Sequence, residues 1–124
     1  MLKASVHHAR MRMGLSALNA HRRKYNFICF NNCPLCGIRP EDSLHFFLKC
    51  PYHAIHRARL VEHVYPIVSC KIPDLVFYPV TKNEFKDLVD LYLHGSLFLT
   101  FEENAQVFKA VHTYILDTKR FDMA

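Results

Sequence analysis

Apolar positions recur at three- and four-residue steps along most of this chain, the spacing that lines one face of an α-helix. Leu2, Val6, Ala9 and Met13 predict an amphipathic helix over residues 2–13 that stops near Gly14. Ser16 offers an N-cap for a short second helix, ALNAHRRKY, with Leu18 inward and the HRRK run at its C-terminal end, where cations suit the macrodipole. NFICFNN then reads as an extended connector. Pro51 suits the first position of a further helix, YHAIHRARLVEHVY, in which Ile55, Ala58, Val61 (or Leu60) and Tyr65 face the core and Pro66 is the stop. The apolar, proline-flanked stretch KIPDLVFYPV reads either as a short helical turn or as a strand-like connector. Phe85, Leu88, Val89 and Tyr92 predict a helix over residues 82–93, with Thr81 as its cap and Gly95 at its end. Thr100 and Glu103 match the S/T-x-x-E capping box and open a last helix to about Arg120, with Phe101, Ala105, Phe108, Val111 (or His112) and Ile115 inward. Sheet signals are weak throughout, so the expected fold class is all-α.

Composition adds compactness and a compartment. A chain of 124 residues, 51% hydrophobic and 22% charged with three glycines, is globular, helix-prone and long enough for one modest core. It is expected to form one compact domain from a basic helical segment (1–28), a cysteine-rich lobe (29–52) and a C-terminal helical segment (53–124). The N-terminus lacks the apolar run of a signal peptide, and no stretch has the length of a membrane span. The expectation is therefore an intracellular, reducing setting in nucleus and/or cytoplasm, with no membrane partner and no disulfides.

In that setting the segment CPLCGIRPEDSLHFFLKCP carries metal-site chemistry. Cys33, Cys36, His45 and Cys50 form C-x2-C-x8-H-x4-C, the donors of a closed tetrahedral Zn2+ site and of a CCHC zinc-stabilised lobe. Pro34 and Gly37 suit a tight turn that aims Cys33 and Cys36 at one point, Gly37 through a positive φ. His45 and Cys50, five residues apart, would point about 140° away from each other on a regular helix. The helix must therefore end between them, with Ser43 as a cap before it and Pro51 holding Cys50 out of the helical conformation. Phe46, Phe47 and Leu48 would form an apolar wall beside the site. A rival set replaces the last two ligands by His53 and His56, at spacings unlike those of C2H2 fingers. Cys29 and Cys70 are left over as buried or idle thiols, with Cys29 a substitute ligand should the register differ. The other histidines are assigned no chemistry.

Charge is unevenly spread. Residues 1–40 carry seven bases and no acid, residues 41–70 balance, and residues 71–124 hold six bases against eight acids. A basic, acid-free third suits a polyanion. Arg10, Arg12, Arg22, Arg23 and Lys24 are the candidate nucleic-acid contacts, and Tyr25, Phe27 and Phe30 are candidate stacking faces for unpaired bases, although packing against the zinc lobe is the expectation for Phe27.

The segments RMRMGLSALNAHRRKYNF, NNCPLCGIRPEDSLHFFLKCPYHAIHRARL, DLYLHGS and ILDTKRF together resemble the C-terminal end of reverse transcriptases of non-LTR (LINE-type) retrotransposons. The R-x-R-x-G-x-S-x-L-x-x-H segment and the CCHC cluster with E-D-x-x-H inside it carry most of the resemblance. It implies a zinc-binding region that follows the polymerase and holds RNA or DNA, with Cys33, Cys36, His45 and Cys50 as ligands. The aromatic-x-Asp-Asp turn that would hold two catalytic metal ions is missing. Asp87 and Asp90 instead sit three apart on the solvent side of a predicted helix.

The expected function is therefore a zinc-stabilised nucleic-acid-binding (RNA and/or DNA) tail domain, not an enzyme, with no small-molecule substrate and with the polymerase domain of a parent polyprotein as a further partner. The alternative is a non-catalytic structural or protein-docking module. A zinc hydrolase drawing on Glu41 and Asp42 fits poorly, because four protein ligands leave no open position for water.

Overall fold

The computed structural model describes residues 2–25 and 27–122. Asn26, at the head of the predicted connector, lies outside the described residues. All regular elements among them are helical: α1 (Leu2–Arg12), α2 (Asn19–Lys24), a π-helical turn (His45–Lys49), a 3-10 turn (Pro51–His53), α3 (Ala54–Val68), α4 (Lys82–His94), α5 (Phe101–Thr118) and a closing 3-10 turn (Arg120–Asp122). The protein is an all-α domain. The stretch 71–80 is an irregular connector of turns and bends, pinned by the buried Phe77.

The expected capping box at Thr100 forms, and the expected cap Thr81 proves to be part of a second one. Thr81 accepts from the Glu84 amide while the Glu84 carboxylate accepts from the Thr81 amide, and Thr100 and Glu103 repeat the arrangement. Between these helices Gly95 turns the chain at φ 70°, and Asn104 clasps Ser96, its Oδ1 accepting from the amide and its Nδ2 donating to the carbonyl, each at 3.0 Å.

The buried faces depart from the expected ones in three helices. In α1, Ala4, His8 and Met11 are buried, whereas Leu2, Val6 and Met13 are exposed. Polar chemistry selects that side. His8 donates from Nε2 to the Tyr92 carbonyl (2.7 Å) and accepts at Nδ1 from His112 (3.0 Å), so one imidazole ties α1 to α4 and α5. In α3 the ridge Leu60–Val64–Val68, with Val61, is inward, and Ile55, Ala58 and Tyr65 are exposed. Pro66 does not stop this helix. It sits on the exposed side of the helix, and Val68 beyond it is fully buried. In α5 Val107, Val111, Tyr114 and Ile115 are buried, Phe108 is half-buried, and Phe101 and Ala105 face out. Lys119 takes a left-handed conformation (φ 54°), ends α5 and turns Arg120 inward.

The core is one cluster. α3 packs most extensively against α5, and α1 lies on α4 and α5. Phe46 and Phe47, expected as a wall local to the cysteine lobe, are fully buried in this common core. The Phe46 ring meets Tyr114 at 5.2 Å and Phe121 at 5.3 Å, and Phe47 meets Tyr92 and Tyr114 at 5.5 Å. The lobe is thus plugged into the bundle by adjacent aromatic rings.

Candidate metal centre and basic surface

The two ends of the cysteine lobe are built by different devices. At the first, Gly37 takes φ 77°, its amide donates to the Cys33 carbonyl (2.9 Å), and the Cys33 amide donates to the Ile38 carbonyl (2.8 Å). This is the tight turn that Pro34 and Gly37 imply. At the second, Asp42 rather than Ser43 caps the turn, accepting from the His45 amide at 2.8 Å. The chain then winds as a π-helical turn, whose wider loop lets the Cys50 amide donate to the carbonyl of His45, five residues back, at 2.9 Å. Cys50 itself is extended (φ −64°, ψ 120°) before Pro51. A regular helix is avoided, as expected, but by widening the turn rather than by ending it.

A π turn leaves carbonyls without their usual partners, and distant side chains supply them. Tyr114 donates from its hydroxyl to the Phe46 carbonyl at 2.5 Å. Arg57 donates to the carbonyls of Phe47 (2.9 Å) and Cys50 (2.6 Å). Neither residue is identifiable from sequence spacing, since only the unusual turn creates the need.

Cys33, Cys36, His45 and Cys50 converge, with one ligand atom of each lying within 4.8 Å of the others. Cys33 Sγ and Cys50 Sγ are 3.9 Å apart, and Cys36 Sγ is 3.4 Å from His45 Nε2. A tetrahedral ion with bonds of about 2.3 Å to sulfur and about 2.0 Å to nitrogen needs edges of about 3.8 and 3.6 Å. The four residues can therefore hold a metal ion, and the spacing is compatible with zinc. Burial lowers the pKa of the His45 imidazole, pushes the Cys33 thiol up to about 12 and raises that of Cys50, while backbone amides of Cys36 and Leu35 act in the opposite direction on Cys33. Burial thus disfavours the thiolates of Cys33 and Cys50, and metal uptake by them would release protons.

His53 and His56 are not part of this set. His53 is buried edge-on against Phe46 (5.3 Å) and Tyr114 (6.3 Å). Cys29 and Cys70 are both exposed and lie outside the cluster, so of the two expected alternatives they are not the buried one.

Glu41 is consumed by structure. Its carboxylate is buried and accepts two hydrogen bonds from Arg120, both at 2.6 Å, and a third from the Asn19 amide at 2.7 Å. Its carbonyl accepts from the Ala20 amide (2.9 Å) and its own amide donates to the Asn31 carbonyl (2.8 Å). Ser16 was expected to cap α2, but its hydroxyl accepts one residue too early, from the Leu18 amide, and Glu41 takes the amides of the first turn instead. One residue between the candidate ligands Cys36 and His45 therefore seats the N-terminus of α2, and Arg120, from the far end of the chain, holds it there.

The basic residues divide into two groups. Arg12 donates to the Leu93 carbonyl (3.2 Å), and its guanidinium lies 5.7 Å from the centre of the Phe108 ring. Arg10, Arg22, Arg23 and Lys24 are exposed, and none makes an ion pair among the described residues. Just beyond α2, Tyr25, Phe27 and Phe30 are 45%, 75% and 57% exposed, so Phe27 does not pack against the lobe as expected. Asp87 and Asp90 lie on the outer side of α4, Asp90 paired with Lys86. Among the described residues no helix is long and apolar enough to cross a membrane.

Comparison of the chain with protein-family models, with curated proteins and with solved structures gives no match.

Proposed function

We propose that this chain is a zinc-stabilised, non-catalytic nucleic-acid-binding domain, of the kind that follows the polymerase in the non-LTR retrotransposon reverse transcriptases its sequence resembles. Zinc is the metal favoured by three thiolates and one imidazole at tetrahedral separations with no open coordination position. The observation that carries the binding function is the exposed run Arg22–Arg23–Lys24, which makes no ion pair among the described residues, followed by the exposed rings of Tyr25, Phe27 and Phe30. Cations that track phosphates beside aromatic faces that stack on bases are what unpaired nucleic acid requires.

Arg22 and Arg23 test this directly. If each meets a phosphate of an unpaired strand, Arg23→Ala should flatten the log-log salt dependence of RNA affinity by about 0.7, and Arg22→Ala should do the same. An unchanged slope in both variants would remove the contact.

One observation favours a protein-docking role as a second reading. Leu97, Phe98 and Phe101, at the turn between α4 and α5, are 104%, 73% and 93% exposed. Capture of the neighbouring polymerase domain without measurable RNA affinity, lost on Phe98→Ser and Phe101→Ser, would support that reading over the first.

A further inference from the structure

α3 and α5 leave an open groove of about 470 Å³ between them. On its walls His56, Arg59 and His63 rise from α3 at three- and four-residue steps, and Lys109 and Thr113 face them from α5. Its floor includes the buried Leu60 and Tyr114 and the small Ala110.

Charge is sorted towards this groove. The C-terminal third is net acidic, yet Lys109, the only lysine or arginine of α5, lines the groove, while Glu103 is turned to the Thr100 amide and Lys71. On α3, Arg57 is turned to the carbonyls of Phe47 and Cys50, and Arg59 lines the groove. Asp117, at one end, is the single acid in the lining. Three residues beyond it, Arg120 donates to the Ala17 carbonyl (3.4 Å) and to Glu41 at the head of α2. This end of the groove is therefore linked through Arg120 to the head of α2.

We propose that this groove is a second nucleic-acid site, specific for an unpaired stretch of strand; the inference rests on the nucleic-acid reading of α2. An unpaired nucleotide joins a flat, largely apolar base to an anion. An apolar floor between cationic walls accepts both parts, with imidazole faces available for stacking. A duplex keeps its bases stacked inside and can offer this groove only its phosphates.

The test uses the full chain loaded with zinc and a short labelled oligouridylate, followed by anisotropy at several salt concentrations. The side chains of Arg59, Lys109 and Asp117 are exposed and make no hydrogen bond among the described residues, so their replacement leaves the fold intact, which circular dichroism checks. Arg59→Ala with Lys109→Ala should lower the log-log salt slope by about 1.4, at about 0.7 for each phosphate contact on a single strand. Asp117→Asn should raise affinity several-fold by removing the one like charge. A slope unchanged by the groove variants, while Arg22→Ala with Arg23→Ala still lowers it, overturns the groove and leaves the α2 reading standing. Absence of salt-dependent binding in the parent protein overturns both.

Discussion

At the scale of single residues, the ligands were legible and their supports were not. Cys33, Cys36, His45 and Cys50 announce themselves because local turn chemistry, Pro34, Gly37 and Pro51 among it, must bring them together. Glu41 and Arg120 are 79 positions apart, and no periodicity links them. Their pair is buried and bidentate, so removing one partner strands the other charge. Glu41→Gln should cost about 3–5 kcal/mol in urea denaturation, and Glu41→Gln with Arg120→Met should cost clearly less than the sum of the single changes. Additive losses would mean that the two side chains do not act as a unit. His8 is a further buried polar residue that spacing could not place. Burial lowers its pKa to about 4 from 6.5, and His53 is lowered to about 4 by the same cause. The folded state then stays neutral while the unfolded chain takes up protons, so stability is full above pH 6.5 and falls as pH drops towards 4. The loss is about 3 kcal/mol for each fully shifted histidine. His8→Gln should weaken this acid dependence between pH 6.5 and 4, and a profile identical to that of the parent chain would contradict the assignment.

Helix existence was legible at the scale of elements wherever a cap or stop was written into the chain, as at Thr81, Gly95 and Thr100. Which face each helix buries was not, in α1, α3 and α5. In α1 the pattern of Leu2, Val6 and Met13 lost to a histidine with two partners, and in α3 a proline was tolerated because it falls on the outer face. Exposed apolar residues were counted as core in both cases. The turn between α4 and α5 is fixed by backbone geometry. A methyl group at Gly95 would meet Asn104 Oδ1 at 2.5 Å and hold an unfavourable φ, whereas at Gly14 nothing lies within 4 Å and only the φ of 69° is unfavourable. Gly95→Ala should therefore cost about 1 kcal/mol from backbone strain plus the disruption of the Asn104 clasp, and Gly14→Ala only the strain. Equal thermal shifts in the two variants would show that the clasp contributes nothing.

At the scale of the whole molecule, the metal lobe is no appendage. Phe46 and Phe47 carry it into the core, Tyr114 and Arg57 complete its π turn, and Glu41 extends from it to seat α2. In the proposed reading a bound metal would order the loop from Cys36 to His45; that loop places Glu41, and Glu41 seats the helix that carries Arg22, Arg23 and Lys24. The first third of the chain was legible as basic, but its dependence on the lobe was not, because the link runs through tertiary contacts. The most direct test of this chain of cause is the anisotropy of a labelled structured RNA, titrated with zinc-loaded protein at several salt concentrations and again after chelation. The account predicts tight, steeply salt-dependent binding that weakens when the metal is removed. Binding that is absent with zinc in place, or that is indifferent to its removal, would contradict it.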